Sequence, residues 1–100
     1  MQQPDADAVT RRREIVIAGH RGEVEVVRTA LSDHADIVRA SALGALERTD
    51  SLATDELLAA FEDPSAVVRR RALSIAAVRG PDAEIDARLA LLLDDHDTTV

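Results

Sequence analysis

The stretch Arg11 Arg12 Arg13 Glu14 Ile15 Val16 Ile17 Ala18 Gly19 His20 Arg21 Gly22 returns later in the chain as Arg69 Arg70 Arg71 Ala72 Leu73 Ser74 Ile75 Ala76 Ala77 Val78 Arg79 Gly80. Between the copies stands a third version, Val38 Arg39 Ala40 Ser41 Ala42 Leu43 Gly44 Ala45 Leu46 Glu47 Arg48. The period is therefore about 30 residues, within the span of about 20 to 50 that marks stacked repeats. Each unit is too small to bury its own apolar face and completes a core only by stacking on its neighbours.

Working outward, an Asp precedes each copy at Asp5, Asp33, Asp63 and Asp95, and Thr10, Val38, Val68 or Val100 follows at a fixed offset. Arg11, Arg39 and Arg69 come next in the first three units. The Asp positions read as helix N-caps, where a carboxylate accepts from an orphan backbone amide and meets the positive end of the helix dipole. Pro64, read as the first helical residue, and Asp36 in the first turn strengthen that reading. Val38, Ala42, Ala45 and Leu46 form one apolar stripe at helical spacing, and Val68, Ala72, Ile75 and Ala76 form its counterpart. Val24, Val27 and Leu31, then Leu57, Leu58 and Phe61, then Ile85, Leu89, Leu92 and Leu93 mark the partner helices. Gly22, and Gly80 with Pro81, punctuate helix ends. Strand signals are absent.

This pattern predicts an all-α chain with helices near 6–20, 23–32, 35–48, 54–62, 65–79 and 83–94. The architecture expected is an α-solenoid of stacked antiparallel helix pairs in a single domain, 1–100. It comprises the second helix of a capping unit (6–20), repeats at 23–48 and 54–79, and an incomplete repeat at 83–100. Asp63 Pro64 Ser65 Ala66 Val67 Val68 Arg69 with Ala72, Ile75 and Ala76, and the partner segment from Asp33 to Leu46, resemble the bacterial HEAT-like repeat of the phycobilisome-lyase type. The resemblance covers almost the whole chain. Thr10 and Glu14 depart from it, standing where Val and Ala are expected, as suits a terminal cap.

Composition narrows the function. Hydrophobic residues make up 46% of the chain and aromatic residues 1%, so the interior is built from Ala, Val, Leu and Ile. Arginine supplies all 12 basic residues against 19 acids, and the net charge of −7 argues against a broad phosphate-tracking surface. The absence of cysteine excludes disulfides, thiolate metal sites and cysteine nucleophiles. With the polar, acidic start Gln2 Gln3 Pro4 Asp5 in place of an export signal, it fits a cytoplasmic setting. The longest apolar run, Leu89 to Leu93, is far short of the roughly 20 residues of a membrane span.

Two sets of residues stand out. In HEAT-like repeats the Asp and Arg columns form a ladder across neighbouring units, so the resemblance implies that Arg39 and Arg69 bond the loop residues Asp33 or Asp63. Second helices line the inner, concave face in this family. There Arg12, Arg13, Arg70 and Arg71, with Ser74 and the small residues Ala40, Gly44 and Ala77, make a candidate partner-binding groove. The bland alternative is a solvated helix face that offsets acidic loops. Three consecutive helical residues fan across about 200°, so neither arginine triplet forms a patch by itself.

No catalytic, cofactor or metal-ligating set emerges. His34 and His96 occupy turns two units apart, beyond the reach of one metal, and His20 has no acidic partner at ligand spacing. The serines lack a nucleophile-elbow context, and there is no phosphate-cradling glycine loop. Asp94, Asp95 and Asp97 lack the glycine turn and distal Glu of a calcium loop. The expected function is a non-catalytic protein-interaction or scaffold module. A nucleic-acid-binding module of the repair-glycosylase kind and an accessory subunit of a pigment lyase are the alternatives that the resemblance brings with it. The last repeat ends before its second helix, exposing one side of Leu89, Leu92 and Leu93. That implies continuation in a longer chain or coverage by a second copy or partner.

Overall fold

The computed structural model describes residues 6–97, and the side chains of residues 7–88, 90 and 91. The elements are α1 (Ala6–His20), α2 (Val24–Thr29) continued by a 3₁₀ turn (Ala30–Ser32), α3 (Asp36–Arg48), α4 (Thr54–Ala60), α5 (Ala66–Arg79) and α6 (Ala83–Asp97). The fold is all-α, with no strand among the described residues. These bounds lie within a few residues of those the periodicity predicts, the chief difference being the tightening of the second helix into a 3₁₀ turn at Ala30.

Helix α3 is the centre of the molecule. It packs against α1 on one side and α5 on the other, while α2 contacts both α1 and α3, and α4 contacts α5 and α6. The stripe Val38, Ala42, Ala45 and Leu46 is at most 1% exposed, and Leu43 joins it. Val68, Ala72 and Ile75 of α5, Leu57 and Leu58 of α4, Val27 of α2, Ile15 and Ala18 of α1, Ile85 of α6 and the single aromatic, Phe61, are buried in the same core. Each large aliphatic buried there contributes about 1.5–3 kcal/mol. Helices built on Ala and Gly approach closely: a β-carbon added to Gly19 of α1 would stand 2.9 Å from the Ala45 Cβ of α3. Thr10 and Glu14 are exposed on the outer helix.

Helix ends follow backbone chemistry. After α1 the amide of Glu23 donates to the Ala18 carbonyl and that of Gly22 to Gly19, a Schellman ending in which Gly22 takes a φ of 73°. After α3 the same pair of bonds recurs, Ser51 to Leu46 and Asp50 to Glu47, but the left-handed position holds Asp50 at a φ of 56°.

The N-cap assignments need correction. Helix α3 is capped by Ala35 and α5 by Ser65, whose hydroxyl accepts from the Val67 amide at 3.2 Å. Asp33 and Asp63 stand two residues earlier. Their Oδ1 atoms accept from the amides of Ala35 at 2.9 Å and Ser65 at 2.8 Å. These are Asx turns, which shape the loop ahead of the helix and leave one carboxylate oxygen free for other partners. Pro64 accordingly lies in that loop and not in the first helical turn.

Candidate partner-binding groove

The loop aspartates ahead of α3 and α5 meet arginines from α1 and α3. Arg11 of α1 reaches Asp33 through Nε at 2.9 Å and Nη2 at 3.0 Å, and Arg39 of α3 reaches Asp63 through the same two atoms, both at 2.9 Å. Arg39 Nη1 also donates to the Asp33 carbonyl at 2.9 Å, and Arg69 Nη1 makes the equivalent bond to the Asp63 carbonyl at 2.7 Å. One guanidinium thus ties its own loop to the next. The hydrogen bonds from Arg11 and Arg39 hold the Asp33 and Asp63 carboxyls below their ordinary range, against the opposing effect of burial. Ser65 adds a further tie, its hydroxyl donating to Asp36 of α3 at 2.7 Å. The side chain of Asp95 lies outside the described residues.

Other ion pairs brace the opposite ends of the helices. Arg79 at the end of α5 binds Glu47 at the end of α3 at 2.6 Å and donates to the Leu52 carbonyl. Arg28 of α2 binds Glu56 of α4 at 2.8 Å and the Ser51 carbonyl at 2.6 Å. Burial pushes the Glu56 carboxyl up, but the bonds from Arg28 and the Ala53 amide outweigh it and leave the group below its ordinary value. Arg79 does the same for Glu47, chiefly by hydrogen bonding.

A groove of about 300 Å³ runs across α1, α3 and α5. Arg12 and Val16 enter from α1, Ile37, Ala40, Ser41 and Arg48 from α3, and Val67 and Arg71 from α5. Each set falls at helical spacing, so one stripe of each helix faces the groove. Two of the five residues read from the sequence as partner-binding, Arg12 and Arg71, line it. Arg13, Arg70 and Ser74 are exposed and are not part of its lining. The reason is geometric: α1 and α5 flank α3 from opposite sides, so each turns a different column inward, and equivalent positions in the two helices cannot both face it. Ala77, also read as part of the surface, instead borders a second hollow with Leu73, Pro81 and Ile85 between α5 and α6.

Arg48 was not foreseen. It stands about two turns after Ser41 on the same stripe of α3, and that spacing would have identified it. Its guanidinium lies over the junction of α1 and α3, with Nη2 3.7 Å from a β-carbon built on Gly19 and Nη1 3.7 Å from one built on Gly44. Arg71 comes closer still, its Nη1 standing 2.5 Å from the Gly44 position, so a side chain there would displace it. Gly44 is thus a seat for the Arg71 guanidinium.

His20 ends α1, exposed. His34 is an exposed loop residue whose Nε2 lies 3.3 Å from Arg11 Nη2. The side chains of His96, Asp94, Asp97, Leu89, Leu92 and Leu93 lie outside those described. Among the described residues no cluster of His, Cys, Asp and Glu is placed to hold a metal ion, and no helix is long and apolar enough to cross a membrane. No protein family, curated protein or solved structure matches the chain significantly.

Proposed function

We propose that the chain is an α-solenoid of HEAT-like repeats acting as a protein-interaction scaffold, with the α1/α3/α5 groove as its binding surface. The recurrence of one contact, Arg11 with Asp33 and then Arg39 with Asp63, supports the repeat reading, since the same side chains join successive units by the same atoms. The observation that carries the binding reading is the groove itself: arginines and aliphatic side chains share an open surface in which no carboxylate takes part. Interfaces favour arginine and apolar contact in this way. The non-catalytic part of the proposal rests on a sequence without a nucleophile, acid–base pair or phosphate loop in a recognisable setting. A cytoplasmic setting belongs to the same proposal and rests on a chain free of cysteine.

A photo-crosslinking residue placed at Ser41 in the groove, compared with one at the exposed Glu25 on α2, tests the surface. In extracts of the native host a discrete protein should crosslink from Ser41 and not from Glu25, and joint replacement of Arg12, Arg48 and Arg71 by Ala should abolish the product. Equal products from both positions, or a product indifferent to the arginines, would rule the groove out.

A further inference from the structure

The groove runs against the charge of the rest of the molecule. In a chain of net charge −7, Arg12, Arg48 and Arg71 converge on a surface whose lining contains no acid. The arginines that bridge elements elsewhere are held by carboxylates, Arg11 by Asp33, Arg28 by Glu25 and Glu56, Arg39 by Asp63, Arg79 by Glu47 and Arg88 by Glu62, while Arg13, Arg21, Arg69 and Arg70 stand exposed on the outer surface. Among the described residues none of the three groove arginines has such a pair. A protein with 19 acidic residues could have neutralised this surface internally, as it does at its other interhelical contacts.

The seat at Gly44 sharpens the point. Glycine within a helix is unfavourable relative to alanine, yet at Gly44 the space that a methyl group would fill is taken by the Arg71 guanidinium and approached by Arg48. The absent side chain lets the Arg71 guanidinium lie over the backbone of α3 with that of Arg48 near it, both residues exposed to solvent on the surface they share with Ile37 and Val67. Planar guanidinium groups placed there present forks that match carboxylates.

We propose that this groove binds an acidic, aliphatic-rich peptide segment of a partner protein, with Arg12, Arg48 and Arg71 engaging its carboxylates and Val16, Ile37 and Val67 receiving its apolar side chains. The proposal rests on the protein-binding reading above and deepens it by naming the chemistry of the partner. A peptide is favoured over a nucleic acid because the floor is aliphatic, the chain has no Trp or Tyr on which a base could stack, and its single Phe, Phe61, is buried in the core. The remaining surface carries the excess of negative charge that repels a long polyanion.

Fluorescence anisotropy with the full chain tests this, using a labelled peptide of repeating leucine and glutamate, its leucine–glutamine counterpart, and a single-stranded oligonucleotide. The glutamate peptide should bind and the glutamine peptide should bind about tenfold or more weakly. Arg48→Gln and Arg71→Gln should each weaken binding severalfold. Gly44→Ala should do the same while raising the melting temperature, so its effect cannot be ascribed to unfolding. Arg13→Gln and Arg70→Gln, outside the groove, should change affinity little.

Equal binding of both peptides would overturn the acidic specificity while leaving the protein-binding reading standing. Losses from Arg13→Gln and Arg70→Gln as large as those from Arg48→Gln and Arg71→Gln would overturn the groove, showing diffuse attraction instead. Tighter binding of the oligonucleotide, lost in the same groove variants, would replace the peptide by a phosphate ligand. Failure of the glutamate peptide to bind would end this proposal, and the crosslinking experiment above decides separately whether the groove takes any protein.

Discussion

Arg39 and Asp63 form a two-point contact between α3 and the loop ahead of α5, with Nε to Oδ2 and Nη2 to Oδ1 both at 2.9 Å and the two side chains only 17% and 13% exposed. The same arginine holds the Asp33 carbonyl, and the same aspartate holds the Ser65 amide. One pair therefore sets the spacing between α3 and α5 and the shape of both loops that lead into them.

Arg39→Ala should lower stability by about 1–3 kcal/mol, the range for losing a charge-assisted pair that is partly shielded from water. Arg39→Lys should recover little of this, because an ammonium cannot make two parallel bonds to one carboxylate while also reaching the Asp33 carbonyl. Urea denaturation of the two variants beside the parent measures it; full rescue by lysine would show that charge alone matters.

Acid should unfold the protein through the same contacts. Asp33 and Asp63, ordinarily titrating near 3.8, and Glu47 and Glu56, ordinarily near 4.5, are all held lower in the folded state. The unfolded chain therefore binds protons first. The stability these groups contribute is fully present above their ordinary values and is lost as pH falls through the lower folded ones. The urea midpoint should fall below about pH 4.5. An Arg39→Gln, Asp63→Asn double variant should fall less steeply, which separates the ladder from the general relief of negative repulsion. An identical slope in the two proteins would mean that the ladder does not contribute.

Gly19 and Gly44 should respond oppositely to alanine. At Gly44 only the flexible ends of Arg71 and Arg48 stand in the way, so the gain in helix propensity prevails and stability should rise by about 0.5–1 kcal/mol. At Gly19 the new carbon meets the Ala45 Cβ, which cannot step aside without parting α1 from α3, and stability should fall by about 1–3 kcal/mol. Thermal unfolding of the two variants decides, and changes of the same sign would contradict the packing described.

Asp50→Gly should stabilise by about 0.5–1 kcal/mol, since Asp50 holds a left-handed conformation that costs a residue with a β-carbon and that Gly22 adopts freely at the end of α1. An unchanged or lower melting temperature would show that the side chain of Asp50 compensates for its backbone.

Much of this molecule was readable before any coordinates. The stripes of Val38, Ala42, Ala45 and Leu46 and of Val68, Ala72, Ile75 and Ala76 predict buried helix faces because helical spacing alone decides which residues share a side, and all are buried except Ala76, which is half-buried. Gly22 and Gly80 mark turns because few other residues tolerate a positive φ, and both have one. These are local properties, fixed by a few neighbouring residues and the geometry of the backbone.

What the chain alone left open depends on how one helix is rotated against another. Equivalent repeat positions suggested that Arg12 and Arg70, or Arg13 and Arg71, act together, whereas Arg12, Arg48 and Arg71 share the groove because α1 and α5 meet α3 from opposite sides. The local role of Asp33 and Asp63 shifted likewise, from capping a helix to shaping the loop ahead of it through the amides of Ala35 and Ser65. Sequence periodicity determined the helices and their buried faces, since both arise within one turn of the chain. Only tertiary packing decided which cations converge and which are neutralised, since that depends on contacts between helices far apart in sequence.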